Sequence, residues 1–314
     1  MNGIEAYNSK YEKAILNSIN GNEDLEGFRD FIYTKSLSST NNYINVVKGF
    51  LRYVQKEPSE LKFQDFAKYL RVKKEGTTSS YQINIYHALK RYSQYLYVSG
   101  EIQKDYMESL ERPAARESMK TIERRQKAFL TRDEMNTYVD AIRNEYDPQI
   151  RSRNMAIVML LLTTGIRCSA LYKLDVSDVN LSDQTIHVTD KGSHARICYF
   201  SDECKRSLWK WLNERNDYHP VDDALFINPC NGKRICQKTI SRVIERYNYA
   251  VPNKKLSPHK LRATYGTQVY ESTRDIYFTQ ECMGHSSPTT TERYIRGQEN
   301  QTKKAASIVG DIFK

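Results

Sequence analysis

The sequence lacks the features of exported, membrane-spanning and disulfide-bonded proteins. Its longest apolar run, residues 155–162, is far too short to cross a bilayer. The opening residues, MNGIEAYNSKYEK, contain no apolar stretch of the kind that a secretory signal requires. The six cysteines form no CxxC pair and no regular spacing, so we expect them to be reduced thiols. These absences predict a soluble, cytoplasmic protein with no membrane partner.

Two familiar kinds of active site are also missing. No GxSxG element is present, which argues against a serine hydrolase of the α/β-hydrolase type. His259 and His285 are accompanied by neither clustered carboxylates nor a third histidine at ligand spacing. Because a bound metal needs such a set of ligands, we expect no metal site.

Basic residues are what the sequence has in excess. The net charge is +10, charged residues make up 27% of the chain, and the excess lies mostly within residues 113–314. Such a surface favours an anionic partner, and nucleic acid is the first polyanion to consider. At 314 residues the chain is long enough for two domains, each with its own core.

Residues 1–112 have the pattern of a small all-α domain. Apolar residues recur at helical spacing in separate stretches, turn-forming residues divide them, and no strand pattern interrupts them. The predicted helices are residues 25–32, a stretch from an N-cap within residues 38–40 to Pro58, residues 63–70, and a long stretch that follows the loop at residues 76–80 and ends at Gly100.

Residues 113–127 read as a basic linker, since they contain one proline and no apolar stripe. The second domain, residues 128–314, begins with a capping box formed by Thr131 and Glu134. Its pattern mixes helices with two short strands, so it is predicted to be α/β. The predicted elements are a buried helix at residues 154–162, strands at 184–189 and 197–200 around a turn, an amphipathic helix with Leu208, Trp209 and Leu212, and a helix with Ile240, Val243, Ile244 and Tyr247 inside.

One predicted helix near the C-terminus is suited to binding a phosphate. Ser257 and Pro258 are typical of an N-cap and a first helical position, because proline has no amide hydrogen to leave unpaired there. His259 and Arg262 lie three residues apart and therefore share a face of that helix. They lie near its N-terminal end, where the free amides and the dipole favour an anion.

Further potential site residues stand before and after this helix, and each alone has an ordinary interpretation. A lone lysine at a hairpin tip is usually a surface residue, and any one of 23 tyrosines is more often a packing residue than a nucleophile. The order and spacing of these residues along the chain are more informative than any one of them. Arg167 follows Thr164-Gly165-Ile166, and Lys191 precedes Gly192. His259 and Arg262 belong to His-Lys-Leu-Arg, His285 follows Met283-Gly284, and Tyr294 lies nine residues after His285.

This order and spacing resemble the tyrosine recombinase (phage integrase) family, and the resemblance covers nearly the whole chain. One position departs from the family pattern, because Ala170 stands where an acidic residue usually follows the first arginine. The resemblance implies an enzyme that cuts and rejoins DNA. In that reaction the Tyr294 hydroxyl attacks a phosphodiester, which gives a 3′-phosphotyrosine and a free 5′-hydroxyl.

The resemblance also implies roles for the other residues. Arg167 and Arg262 would hold the two non-bridging phosphate oxygens, since a guanidinium matches them bidentately and keeps its charge. His259 would accept the tyrosine proton, and Lys191 would protonate the leaving 5′ oxygen. His285 would hydrogen-bond the phosphate or steady the tyrosine. The protein–DNA ester keeps the bond energy, so neither ATP nor a metal cofactor is expected.

The implied architecture is an N-terminal core-binding domain and a C-terminal catalytic domain that together form a clamp around double-stranded DNA. The protein would act as a homo-tetramer, with the tail that carries Ile308, Val309, Ile312 and Phe313 exchanged between protomers. Most basic side chains are simply solvated, but as a group they suit phosphate contacts that set position. The candidate DNA contacts are Lys48, Arg52, Lys90 and Arg91 in the first domain and Lys238, Ser241 and Arg242 in the second.

Several roles fit this resemblance. A mobile-element integrase or resolvase is favoured by Ala170 and by His194, where a second basic residue often stands. An Xer-type recombinase that resolves chromosome dimers is the alternative, and both fit a chain with only about 20 residues before its first helical domain. Other rivals are a topoisomerase of type IB, which rejoins without exchange, and a DNA-binding accessory protein that keeps the fold without catalysis.

Overall fold

The computed structural model describes residues 12–17, 19, 22–114, 129–189 and 195–284. The chain divides into two compact units, Met1–Ser118 and Met119–Lys314. Each unit has its own cluster of buried apolar side chains. The prediction of a mostly helical protein with a small β-sheet is confirmed.

In the described part of the first unit the ordered elements are helices. Three of them begin at a side chain that accepts a backbone N–H, namely Asn22, Ser36 and Thr78. The predicted N-cap within residues 38–40 is wrong, because Ser36 accepts the N–H of Ser39 and the helix therefore begins earlier. The helices are α1 (Glu23–Phe31), α2 (Leu37–Val54), α3 (Phe63–Lys74) and α4 (Ser79–Val98), with a 3₁₀ turn at Pro58–Glu60.

Aromatic rings dominate the core of the first unit. Phe28, Phe50, Phe66 and Tyr92 are fully buried. The ring centroids of Phe50 and Phe66 lie 4.7 Å apart. The rings of Phe28 and Tyr92 pack edge to face. Such contacts stabilise a small helical core beyond the area that they bury.

The second unit is built around one long buried helix. It begins at Pro148, with Asp147 as its N-cap, and its buried residues face all directions. The predicted helix at residues 154–162 is therefore its central part. The helices of this unit are α5 (Arg132–Arg143), α6 (Pro148–Thr164), α7 (Cys168–Leu171), α8 (Asp202–Arg215), α9 (Gln237–Arg246), α10 (Pro258–Thr273) and α11 (Ile276–Met283), with 3₁₀ turns at Val176–Asp178, Asn216–Tyr218 and Asn248–Ala250.

A three-stranded antiparallel sheet packs beside these helices. The strands are β1 (Val179–Asn180), β2 (Thr185–Thr189) and β3 (Ala195–Tyr199), in the order β1-β2-β3. The two predicted strands correspond to β2 and β3, and the two-residue β1 is too short to leave a pattern in the sequence.

Leu208, Trp209 and Leu212 all belong to α8, as predicted, but Trp209 lies on its exposed face. Its side chain is 60% exposed, whereas Leu208 and Trp211 are fully buried. Because residues three apart share a helix face, Trp211 follows Leu208 inward and Trp209 points to solvent. The Trp211 indole N–H donates to the Leu225 carbonyl at 2.7 Å, which satisfies its polar group in the core. Among the helices that the structure describes, none is long and apolar enough to span a membrane.

Candidate active site

The C-terminal end of α6 delivers Arg167. Gly165 has a positive φ of 61° and donates its N–H to the Leu161 carbonyl, which ends the helix in the left-handed conformation that glycine adopts most easily. The ring of Tyr265 lies directly against this glycine, since a Cβ at position 165 would stand 2.2 Å from Tyr265 Cδ1. After this turn Arg167 precedes the short helix α7 and is partly buried.

Helix α10 carries the second part of the site. Ser257 is its N-cap and Pro258 its first residue, which confirms that part of the prediction. His259 is exposed in the first turn, whereas Arg262 is only 3% exposed. One helix therefore presents an accessible imidazole and, three residues on, a buried guanidinium.

The two arginines converge on consecutive peptide groups. Arg262 donates through Nη1 to the Gly165 carbonyl and through Nη2 to the Met283 carbonyl. Arg167 donates through Nη2 to the Gly284 carbonyl at 3.2 Å. Residues that are 95 positions apart in sequence, 167 and 262, thus bring two permanent positive charges to one place. Two such groups side by side can bind both non-bridging oxygens of a phosphodiester.

The departure at Ala170 fits its surroundings. Ala170 is 3% exposed and belongs to the apolar core of the second unit. An acidic side chain at this position would need a partner for a buried charge. Arg262 meanwhile has backbone carbonyls as acceptors, so its burial does not depend on a carboxylate at position 170.

Comparison with known proteins decides the family. The profile of the phage integrase family matches residues 128–301, more than half of the chain. The chain belongs to the phage integrase family. This confirms the predicted resemblance to tyrosine recombinases.

Two curated relatives are tyrosine recombinases named XerC. The XerC of Histophilus somni (strain 2336) is 29% identical over 209 residues, which are 66% of this chain and 67% of that protein. The XerC of Mannheimia succiniciproducens is 33% identical over 163 residues, 52% of this chain and 54% of that protein. The chain thus spans from about half to two thirds of the length of these relatives.

Solved structures share the fold. XerH recombinase bound to a palindromic difH substrate, in a post-cleavage complex, superposes with a TM-score of 0.76 at 23% identity, over 96% of this chain and 89% of that one. A λ integrase dimer bound to a COC′ core site gives a TM-score of 0.69 at 18% identity, over 88% of this chain and 96% of that one. At sequence identities this low, the structural similarity establishes that the chain shares the fold of these proteins.

Within this integrase-family chain, the predicted catalytic residues fall into two groups. Arg167 and Arg262 lie together, and His259 lies in the first turn of the helix that carries Arg262. Lys191, His285 and Tyr294 lie outside the described residues, as do His194, most of the predicted linker and the C-terminal tail.

The candidate DNA contacts lie on helices of both units. Lys48 and Arg52 belong to α2, and Lys90 and Arg91 to α4; Lys238, Ser241 and Arg242 belong to α9. Lys238 and Arg242 are exposed, while Ser241 is half-buried. The Arg91 guanidinium lies 5.0 Å from the Phe31 ring centre and donates to Gln94, so part of its role is to pack within its own unit.

Sequence reasoning missed two residues that shape the site. Arg196 Nη1 donates to the Cys282 carbonyl at 3.1 Å. Tyr265 packs on Gly165, and burial, followed by the neighbouring Cys282 side chain, raises the pKa of its hydroxyl. The one available signal was in β3, where an arginine occupies the position two residues before the buried Cys198, on the inward side of the alternation.

The cysteines near the site are not activated nucleophiles. Burial raises the pKa of the Cys168 thiol to about 11 and also raises the pKa of Cys282. Both thiols therefore stay protonated near neutral pH. Within the described residues, no group of three or more His, Cys, Asp or Glu side chains could hold a metal ion.

Proposed function

We propose that the protein is a site-specific DNA recombinase that cuts and rejoins strands through a 3′-phosphotyrosine at Tyr294. The observation that carries this proposal is the meeting of Arg167 and Arg262 on consecutive carbonyls, in a chain of the phage integrase family. These carbonyls belong to Met283 and Gly284, and the chain continues from there to His285 and Tyr294.

The roles proposed for the site residues follow from the proton transfers and the negative charge that the reaction involves. A free tyrosine has a pKa of roughly 10, so attack near neutral pH needs a proton acceptor and stabilisation of the charge that develops on the phosphate. His259 is the acceptor, and Arg167 and Arg262 stabilise the transition state, where such donors contribute most. Lys191 protonates the leaving 5′ oxygen, and His285 binds the phosphate or steadies the tyrosine. The reaction uses neither a metal nor ATP.

The partner is a pair of double-stranded DNA recombination sites. Lys48, Arg52 and Lys90 of the first unit and Lys238 and Arg242 of the second are proposed to contact phosphates of the duplex. Arg91 and Ser241 complete the proposed set. Because phosphate contacts release counterions, affinity is expected to fall steeply with salt.

The active form is proposed to be a tetramer in which the C-terminal tail docks on a neighbouring protomer. A groove of about 620 Å³ on the second unit suits the apolar tail residues. It is lined by apolar side chains of α5, α6 and α10 together with the charged side chains of Arg132, Arg143 and Glu203. Occupation of such a groove removes apolar surface from water. The apolar lining residues are Met135, Val139, Met159, Leu162 and Val269.

Covalent trapping tests the activity. The protein is incubated with sheared DNA of its source organism, denatured in detergent, and captured on a tag, and the DNA that stays attached is sequenced. The wild type should retain fragments that share one site, Tyr294→Phe should retain none, and Tyr277→Phe should behave as the wild type. Tyr277 is a matched control, since its side chain is 72% exposed in α11. Absence of attached DNA from the wild type leaves only the accessory DNA-binding role.

The trapped site also separates the remaining roles. Exchange between two copies of it distinguishes a recombinase from a topoisomerase. The curated XerC relatives favour an Xer-type role, and a single chromosomal site would support it. Ala170 and His194 favour DNA integration by a mobile element, and a site flanked by terminal repeats or cargo genes would support that role.

A further inference from the structure

Three arginines hold three consecutive carbonyls at the end of α11. Arg196 binds the Cys282 carbonyl, Arg262 the Met283 carbonyl and Arg167 the Gly284 carbonyl. The last carbonyls of a helix have no partner within it and carry the negative end of the helix dipole. Guanidinium groups are therefore well suited to this place. We call these three side chains and their acceptors the arginine clamp.

Arg196 is the member of the clamp that has no role in the proposed chemistry. It lies on β3 opposite Val188, which is 1% exposed, and its side chain shares the inward direction of Cys198. An apolar residue would suit that direction, because a charged group that is drawn out of water must find partners. The carbonyl of Cys282, 86 residues away in sequence, is one such partner.

A second contact ties the same point of the chain to Gly165. The Tyr265 ring packs on Gly165, and its side chain neighbours that of Cys282. The Gly165 carbonyl in turn accepts from Arg262. Cys282 is thus held through its carbonyl by Arg196 and lies beside the Tyr265 side chain. It is the first residue of the segment whose carbonyls accept hydrogen bonds from Arg262 and Arg167.

We propose that Arg196 is a positioning residue for DNA cleavage. It fixes Cys282, and through Cys282 it fixes the next two carbonyls, which orient Arg262 and Arg167 toward one phosphate. It also joins this point to the hairpin of β2 and β3, whose connecting segment contains Lys191. The proposal rests on the proposed function, because the effect of Arg196 appears in the rate of strand cleavage.

The size of the effect follows from geometry. A displacement of about 1 Å in a catalytic group can lower a rate on the order of 100-fold, even when its origin is remote from the reacting atoms. Arg196→Gln should therefore slow formation of the covalent adduct about 10- to 100-fold on the trapped site, with DNA affinity within about twofold of the wild type. Arg196→Lys keeps a cationic donor and should recover part of the rate.

The matched control is Arg206→Gln. Arg206 is 69% exposed and pairs with Glu203 within α8, so its loss should leave the adduct rate unchanged. All variants are compared in single-turnover reactions at a temperature where circular dichroism shows each one to be folded. An adduct rate for Arg196→Gln within twofold of the wild type overturns the proposal, and so does a slower rate that merely follows weaker DNA binding.

A modified substrate separates positioning of the arginines from protonation of the leaving group. When sulfur replaces the bridging 5′ oxygen, the leaving thiolate needs no proton. This substrate should restore cleavage by Lys191→Ala but not by Arg196→Gln. Restoration of both would mean that Arg196 acts on the leaving group, which would overturn its assignment to the arginine pair.

Hydrogen exchange without DNA tests the clamp independently of activity. Peptides that cover residues 276–284 should exchange faster in Arg196→Gln than in the wild type or Arg206→Gln. Unchanged exchange overturns the clamp whatever reaction the protein performs. Faster exchange in a protein whose wild type forms no adduct would instead retain the clamp and refute the proposed function together with the positioning role.

Discussion

At the scale of single residues, the site depends on where guanidinium groups find acceptors. Arg262 is nearly inaccessible to solvent, and the carbonyls that accept from it belong to two distant segments. A buried charge is tolerated only with good hydrogen bonds, and here the bonds also fix the direction of the planar group. The same contacts that stabilise the fold therefore orient Arg262 in the proposed phosphate site.

Arg262→Lys should retain the positive charge but lose the fork of donors. We expect the rate of covalent adduct formation to fall by about 100-fold or more, because an ammonium cannot hold two acceptors and a phosphate oxygen in fixed directions. The measurement is the single-turnover adduct assay, with DNA affinity determined in parallel. Arg206→Lys serves as the exposed control, and equal rates for the two variants would contradict a bidentate role.

Gly165→Ala should destabilise the protein for two separate reasons. The left-handed conformation costs a residue with a Cβ about 1–2 kcal/mol, and the new methyl would also collide with the Tyr265 ring. Gly76→Ala is the matched control, since Gly76 has a φ of 72° but nothing within 4 Å of the added Cβ. Denaturant unfolding should show a larger loss for Gly165→Ala, and the double variant Gly165→Ala/Tyr265→Ala should lose less than the sum of the single changes.

At the scale of secondary-structure elements, a polar network ties α9 to the turn between α5 and α6. The Glu145 carboxylate, with a side chain only 8% exposed, accepts from Arg246 and from the Tyr247 hydroxyl. Asn154 of α6 donates to the same hydroxyl at 2.9 Å. The network thus joins α6, α9 and the turn between α5 and α6. Gly165 lies at the C-terminal end of α6.

This network gives stability a defined pH dependence. The hydrogen bond from Arg246 lowers the pKa of Glu145 to about 2 from its ordinary value of 4.5, although burial opposes that shift. A depressed carboxyl pKa stabilises the folded state above about pH 4.5, and this stabilisation is lost as pH falls from 4.5 toward 2. The half-exposed Arg246 weakens the effect through solvent screening, so we expect about 2 kcal/mol.

Glu145→Gln should therefore be less stable than the wild type at pH 7, with a difference that shrinks below pH 4.5. Urea unfolding at a series of pH values measures it. Asp140→Asn provides the control, because Asp140 and its partner Arg143 are both more than half exposed and such a pair contributes little. A difference for Glu145→Gln that stays constant from pH 7 to pH 3 would refute the linkage.

At the scale of the whole molecule, the chain is organised around two separate cores. One contains Phe28, Phe50 and Phe66, and the other contains Leu161 and Trp211. Each core is large enough to support a unit of its own. Every contact that builds the candidate active site in the described residues joins segments of the second unit.

Calorimetry should resolve two unfolding transitions that respond to different substitutions. Phe28→Ala removes a fully buried ring from the first core, and Leu161→Ala removes a buried side chain from the second. Each change should destabilise its own transition by about 2–5 kcal/mol and leave the other nearly unchanged. A single transition that both substitutions lower equally would show that the chain unfolds as one cooperative body.

The sequence by itself determined the local features. The apolar spacing gave the helical content and the two longer strands, and Ser257 and Pro258 marked the start of α10, because caps and periodicity depend on neighbours a few residues away. The family resemblance identified both arginines. The one wrong cap, placed within residues 38–40 instead of at Ser36, was also a local error, since several neighbouring residues can serve as an N-cap. That Trp209 is exposed beside the buried Leu208 could not be read from apolar spacing alone.

Only the tertiary structure decided which acceptors those arginines meet. The bond from Arg167 to the Gly284 carbonyl spans 117 residues, and the bond from Arg196 to Cys282 spans 86. Every residue has a backbone carbonyl, so the identity of a residue does not show whether its carbonyl accepts a hydrogen bond from a distant arginine. The packing of α6, β3, α10 and α11 brings them together, and for this physical reason the role proposed for Arg196 appears only in the folded chain.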